Sequence, residues 1–296
     1  MRQKTLNEYL KSRYGKKLYK IAIDAGFSCP NRDGTLGDKG CIFCSGRGSG
    51  DFAEDRNKSI TEQIEAGKAR VASKLPKDGD YGLIAYFQAF TNTYAPIVRL
   101  RDVYTEALSH PQVALISIAT RPDCLSDEVL DLISELNEIK PVWVELGLQT
   151  IHEKTSEYIR RGYKLDVYDT AVRNLKERGI ETIVHVILGL PGESHEQMLK
   201  TVKYVGDSGV QGIKLQLLHV LKGTDLADDY LAGEFECLTI DEYVSIVCDA
   251  LRILPDDIVI HRMTGDGDKK TLIAPEWSKD KKRVLNLLKK STNMIY

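Results

Sequence analysis

Apolar and polar positions follow two rhythms along this chain. Tyr81–Gln88, Val113–Ala119, Pro141–Gly147, Thr182–Leu188 and Gly212–Leu218 are short, nearly unbroken apolar runs. Such runs mark strands buried on both faces, as in parallel sheets covered by helices. Leu18–Asp24 reads as a further strand. Between the runs lie segments of helical spacing: 58–75, 98–108, 127–136, 152–161, 166–178 and 193–205. In the first, Ile60, Ile64, Ala69, Val71 and Ala72 make a loose apolar face. Ser126 is placed to cap the third, and Gly179 closes the fifth. About six strand–helix units over residues 18–232 predict an α/β fold with parallel strands and right-handed crossovers. A doubly wound sheet and a complete or partial barrel both satisfy that alternation. In either, sites lie at the C-terminal strand ends, where this chain places its polar and glycine-containing breaks. A short amphipathic segment at 5–13 precedes the first strand. After residue 233 come a helix over 239–253, the run Ile258–Met263 and a basic closing helix, read as an extension packed on the same domain.

The 296 residues suffice for one barrel-sized domain or two smaller ones, with a large core. A hydrophobic content of 42% and a charged content of 28% are those of ordinary soluble proteins. No apolar run reaches membrane-spanning length, and the first ten residues lack the apolar core of a signal peptide. The expected location is the cytoplasm, where cysteines are more often metal ligands or catalytic groups than disulfides. The formal net charge of −2 gives no hint of a nucleic-acid partner. Its distribution is less even. Arg2, Lys4, Lys11, Arg13, Lys16, Lys17 and Lys20 face one acid, Glu8, and Lys279, Lys281, Lys282, Arg283, Lys289 and Lys290 face Asp280. Taken alone these are two solvated helical surfaces. Brought together in space, they form a basic face.

Chemistry concentrates in residues 29–44, which hold Cys29, Cys41 and Cys44 and no histidine. Thiolates select zinc, copper(I) or iron–sulfur clusters. A closed zinc site needs four protein ligands. This stretch supplies three, followed by a flexible glycine run over Gly46–Gly50. Three thiolates on a four-iron cluster leave one iron open to an outside ligand. A zinc site borrowing a distant fourth ligand, or a redox pair at Cys41 and Cys44, is the plainer alternative.

The segment resembles the cluster loop of radical S-adenosylmethionine (SAM) enzymes, with a wider cysteine spacing of the kind found in the catalytic subunit of Elongator. The chain as a whole resembles the YhcC/YtqA-type radical SAM proteins. The matching segments are Cys29–Cys44, Gln88–Pro96, Thr120–Leu125, Glu145–Gln149, Arg160–Gly162, Gly189–Gly192 and Gly265–Gly267. The resemblance implies a partial (β/α)6 TIM-like barrel over 18–235, with a basic N-terminal extension over 1–17 and a C-terminal extension over 236–296. It also implies a [4Fe-4S] cluster on Cys29, Cys41 and Cys44, with the SAM amine and carboxylate on the open iron. A reductant such as flavodoxin or ferredoxin then supplies the electron that releases a 5′-deoxyadenosyl radical.

Roles for single residues follow from that resemblance. Phe43 shields the cluster and packs near adenine. The usual Gly-Gly-Glu is replaced by Gln88-Ala89-Phe90-Thr91, leaving Gln88 or Thr91 to hold the SAM amine. Thr120, Gln149 and Arg161 border the cofactor, and Arg161 is suited to fork onto the SAM carboxylate. His185 is either a ribose contact or a hydrogen-bonded core histidine. Glu145 is too deep to stay unpaired and takes Arg121 or SAM as partner. Cys124 and His219 are the candidate catalytic groups, and Lys222 follows His219 toward substrate. Cys237 and Cys248 read as packing residues. Gly189–Gly192 lacks the lysine and hydroxyl of a P-loop and reads as a turn bordering the cofactor. Asp266 is a ligand or simply a turn residue. The likeness to Elongator suggests tRNA as substrate, at the C5 side chain of a wobble uridine, with the basic ends on its phosphates. A small-metabolite or protein substrate, and a zinc-stabilised RNA-binding module, are the competing expectations.

Overall fold

The computed structural model describes residues 3–265 and 267–292, so Arg2 and Asp266 lie outside it. The chain runs through β1 (Lys4–Thr5), α1 (Leu6–Tyr14), β2 (Lys17–Ile23), α2 (Ile60–Arg70), β3 (Tyr81–Phe87), α3 (Ile97–Ser109), β4 (Val113–Thr120), α4 (Asp127–Ile139) and β5 (Val142–Gln149). It continues through α5 (Glu153–Tyr158), α6 (Leu165–Glu177), β6 (Glu181–Leu188), α7 (His195–Asp207), β7 (Gly212–Leu217), β8 (Val220–Leu221) and α8 (Asp225–Leu231). It closes with α9 (Ile240–Ile253), β9 (Val259–Arg262), β10 (Leu272–Ala274) and α10 (Lys281–Thr292). Capping boxes start α1 at Thr5 and Glu8, α2 at Ser59 and Glu62, α7 at Ser194 and Gln197, and α9 at Thr239 and Glu242. Each satisfies two backbone N–H groups that a helix start leaves unpaired.

One sheet carries the strands in the order β1-β9-β7-β6-β5-β4-β3-β2, and every pairing in it is parallel. From β2 to β7 each strand lies beside its predecessor, so the order never reverses as a doubly wound sheet requires. The sheet also curls. In a flat sheet β3 and β7 would stand roughly 19 Å apart, four interstrand steps. Yet the Lys214 Nζ of β7 lies 3.1 Å from the Tyr86 hydroxyl of β3. The result is a partial barrel. It gains two strands beyond the expected six: Val259–Arg262 pairs with β7, and Lys4–Thr5 pairs with β9. The C-terminal extension is therefore partly sheet. A separate pair, β8 with β10, is antiparallel.

Barrel interior positions recur every second residue. Leu18, Ile84, Leu115, Trp143 and Ile183 form an apolar layer near the strand starts, and Leu10 of α1 packs onto it. α1 contacts β1, β2 and β9, and so crosses the opening between the two ends of the sheet. Outside, the helical faces pack on the other side of the strands in one large core. Among the described residues, no helix is long and apolar enough to cross a membrane.

Candidate active site

Residues 24–59, between β2 and α2, form a long irregular loop at the C-terminal end of the barrel. It has no apolar period, so side chains fasten it instead. Arg56 grips both oxygens of Asp24 at 3.2 Å. Arg32 donates to Cys44 O and Ser45 O at 2.8 Å each. Asn31 Nδ2 donates to Arg160 O at 2.7 Å, and Ile42 N to Ile159 O at 3.2 Å. The glycine run is packed rather than flexible. Phe90 N donates to Gly48 O at 2.8 Å, and Gln88 Nε2 donates to Ser49 O at 2.8 Å. Gly48 has φ +58°, and a Cβ there would lie 2.4 Å from the Phe90 ring, so only glycine fits.

Cys29, Cys41 and Cys44 are half-buried and line one cavity at the barrel mouth, together with Phe43. Phe43 also packs against the cluster of Ile42, Ile159, Ile187 and Leu190. Burial pushes the Cys41 thiol up to about 11, and it also raises Cys44 against the pull of Arg32. Ligation here must displace those protons. Among the described residues, no three His, Cys, Asp or Glu side chains converge as ligands of a single metal ion.

Opposite the thiols, the strand ends supply polar groups. Gln88, Thr91, Thr120, Gln149 and Arg161 all line the cavity. The Thr120 hydroxyl is engaged with Thr93 Oγ1 at 2.5 Å. Gln149 ends β5 at φ +69°, a strained setting for a side-chain-bearing residue. Its Oε1 is buried with no hydrogen-bond partner among the described residues. Gly147 makes room for it: a Cβ there would lie 2.9 Å from Gln149 Nε2. Arg161 is buried and stacks 4.5 Å over Tyr163. Its donors reach only carbonyls: Thr150 O at 2.5 Å, Leu148 O at 3.3 Å, and Tyr163 O at 3.1 and 3.0 Å. Among the described residues no carboxylate is hydrogen-bonded to it, though Asp123 acts on it at longer range. An orphaned acceptor, a buried guanidinium and three thiols in one cavity fit SAM beside an iron–sulfur cluster.

Deeper in the barrel, on the same strands, lies a charged layer. Glu145, 0% exposed, accepts from Lys20 Nζ at 2.9 Å, Ser117 Oγ at 2.7 Å, His185 Nε2 at 2.7 Å, and Lys214 Nζ. Lys20 and Lys214 each lie 4.5 Å from the Tyr86 ring centroid. Burial alone would raise the Glu145 pKa, but Lys20, Lys214 and His185 together hold it well below the usual carboxylate range. Burial and Lys214 lower His185 to about 4, so it is neutral at pH 7. This layer corrects one expectation and bears on another. Glu145 pairs with the lysines rather than Arg121, which instead forks onto Asp123 at 2.9 and 2.7 Å. A carboxylate that already holds four donors has no free acceptor position for SAM. His185 spends Nε2 on Glu145, as a hydrogen-bonded core histidine does, and its side chain also lines the cavity.

Neither candidate catalytic residue reaches the cavity lining. Cys124 faces a neighbouring groove with Pro30 and Tyr94, and burial raises its thiol to about 12. The His219 ring packs against Gly265 and Gly267. Lys222 is exposed, donating its backbone N–H to Thr271 O at 2.8 Å. Cys237 packs against the Ile42 cluster, and Cys248 sits on α9. The two basic ends both approach α9, with Gln3 donating to Leu251 O and Leu254 O at 3.0 and 2.7 Å. α1 covers the end of the barrel opposite the cysteine loop, whereas α10 packs on α9. Tyr86, Lys214, Gln216 and Arg262 line the cavity without having been foreseen. The available signal was clearest in β7, where Lys214 and Gln216 alternate with apolar residues.

The family model of the radical SAM superfamily matches residues 32–205, and that of the radical SAM C-terminal domain matches residues 210–293. The chain is 48% identical to YtqA of Bacillus subtilis over 98% of its own length and 89% of that protein's. It is 38% identical to YhcC of Escherichia coli K12, covering 94% and 89% of the two chains. A tRNA uridine(34) acetyltransferase of Methanocaldococcus jannaschii is 29% identical over 54% of this chain and 30% of its own. Among solved structures, an archaeal Elp3 from Methanocaldococcus infernus superposes with a TM-score of 0.66 at 19% identity, covering 87% of this chain and 59% of that one. At that identity the likeness shows the fold, a curled parallel half-barrel. With a superfamily match over more than half its residues and relatives aligned nearly end to end, the chain is an enzyme of the radical SAM superfamily.

Proposed function

We propose that Cys29, Cys41 and Cys44 hold a [4Fe-4S] cluster whose open iron faces SAM, and that the enzyme remodels the C5 side chain of a tRNA wobble uridine. One observation carries the cofactor reading: the three thiols share a cavity with the unpartnered Gln149 Oε1. When bound, cluster and SAM supply one-electron cleavage of the sulfonium to a hydrogen-abstracting 5′-deoxyadenosyl radical, given an electron from a flavodoxin- or ferredoxin-type donor. The chain's own residues do the positioning. Gln149 Oε1 accepts from a SAM N–H or hydroxyl, Arg161 offers its charge and its one remaining N–H to the carboxylate, and Phe43 keeps water from the thiolates. Gln88 and Thr91 stand at the rim beside them. The tRNA part rests on the likeness to uridine(34) acetyltransferases and to Elp3. The cytoplasm is where tRNA and such reductants meet.

A small-metabolite substrate is the second reading. The placement of α1 opposite the cysteine loop favours it, because Lys11 and Arg13 on that helix then lie far from the mouth.

Anaerobic reconstitution tests the cofactor reading. About four irons per chain are expected, with 5′-deoxyadenosine formed from SAM under reduction, and both lost in Cys41→Ala. Bound zinc with no iron–sulfur absorption, or 5′-deoxyadenosine from Cys41→Ala at the normal rate, overturns it. For the substrate, tRNA from a deletion strain should accumulate an unfinished nucleoside. An unchanged nucleoside profile shifts the assignment to a metabolite.

A further inference from the structure

We infer that the part of the substrate entering the barrel ends in an oxyanion, a carboxylate or phosphate, received by the ammonium of Lys214. The inference rests on the reading of this cavity as the active site, and it names the chemistry of what must enter it.

Lys214 points inward from the middle of β7, is 3% exposed, and lines the cavity. An ammonium has three N–H donors. Two are spent, on Glu145 and on the Tyr86 hydroxyl at 3.1 Å. Glu145 cannot give Lys214 more, because Lys20, Ser117 and His185 occupy the rest of its acceptor positions. The charges do not balance either. Two lysines converge on one carboxylate, while the other contacts, Tyr86, Ser117 and the neutral His185, add no negative charge. Lys20 already neutralises Glu145 from the other side, and its ammonium also rests over the Tyr86 and Trp143 rings. A buried ion pair needs one lysine; the second is a surplus cation on the cavity wall. Burying such a charge costs several kcal/mol unless a counter-charge meets it. Burial accordingly pulls the Lys214 ammonium well below its ordinary pKa, with Glu145 opposing and Lys20 and Arg262 adding to the pull. Gln216, two residues nearer the mouth on the same strand, lines the cavity and offers an amide to the same ligand.

The test uses the full chain with succinate and inorganic phosphate as probes, and with sodium chloride at matched ionic strength as the control. Calorimetric titration and thermal melting give the affinity. Binding to the wild type is expected. Lys214→Met should weaken it at least tenfold, Lys214→Arg should retain it, and Glu145→Gln should tighten it at least tenfold by releasing both lysines. The opposite signs are the signature, since a purely structural role would weaken both variants or neither. Binding of succinate alone assigns a carboxylate, and binding of phosphate alone a phosphate. No binding of either probe to the wild type, or equal affinity in Lys214→Met, overturns the inference. Should Lys214→Met fail to fold, titration of Gln216→Ala, which leaves the Glu145 contacts intact, decides: several-fold weaker binding supports the inference and unchanged binding overturns it. Formation of 5′-deoxyadenosine by the reconstituted wild type is measured separately. Its absence overturns the cofactor reading, whereas its presence without anion binding overturns this inference alone.

Discussion

One residue separates Trp143 from Glu145 and Ile183 from His185, yet the layers they belong to do different work. The outer layer, near the strand starts, is apolar, fully buried and sealed by α1. The inner layer is charged and opens toward the thiols. Both arise from one alternation along the same strands, so geometry alone does not distinguish them. Chemistry does. Apolar side chains under α1 gain from leaving water. Charges in the barrel pay for desolvation and recover it only through mutual contacts. The first layer is what a stable barrel needs, and the second is more than stability requires.

The most forceful way to break this contrast is Trp143→Ala. It should cost about 3–5 kcal/mol through the cavity it leaves, read as a fall in the denaturant midpoint, while iron content per folded chain stays constant. Lost iron binding in still-folded protein would show that the two layers are not separable. Glu145→Ala comes next, at about 3–5 kcal/mol, because it strands two lysines without a counter-charge. The triple change Lys20→Met, Glu145→Leu and Lys214→Met should recover most of that loss. A triple variant no more stable than Glu145→Ala would give the charged layer a stabilising role.

The pH dependence sharpens the same point. His185 has a folded pKa of about 4 against 6.5 unfolded. In that window the unfolded chain binds the extra proton, so stability present above pH 6.5 is lost as pH falls toward 4, by about 3 kcal/mol. Glu145, also depressed, adds a further loss below its unfolded value of 4.5. Melting curves of His185→Gln should therefore decline less steeply between pH 6.5 and 4, and an unchanged slope would remove His185 from the account. The smallest effect is expected at α1. Tyr9→Phe removes the hydroxyl contact to Glu181 at 2.7 Å and should cost about 1 kcal/mol without altering iron binding.

The barrel was largely legible in the sequence because strands buried on both faces are continuous apolar runs. β8, β10 and α8 were not, being too short for any period to emerge. β9 was read as a run but not as a barrel strand, since its partner β7 is fixed only by tertiary pairing. The cysteine loop was legible because its three thiols are close in sequence. The charged layer was half legible. Glu145 and His185 stood out, but Lys20 and Lys214 did not. They lie 125 and 69 residues from the carboxylate they share, and each alone looks like a polar interruption. Cys124 and His219 lie off the cavity lining for the converse reason. A strand end fixes a residue near the mouth without deciding whether its side chain turns into the cavity.

The pairing of Lys4–Thr5 with Val259–Ile260 also carries a consequence for biosynthesis. A chain made from its N-terminus has its first strand in hand long before the partner strand exists. Until β9 emerges from the ribosome, residues near the start have no edge to join, and the opening that α1 spans stays uncovered. Closure of the barrel base is thus a late event of very high sequence separation, with the slow folding that such contacts bring. A nascent chain halted before residue 259 should expose Leu10 and the ring of Trp143 to chaperones, whereas the completed chain hides both.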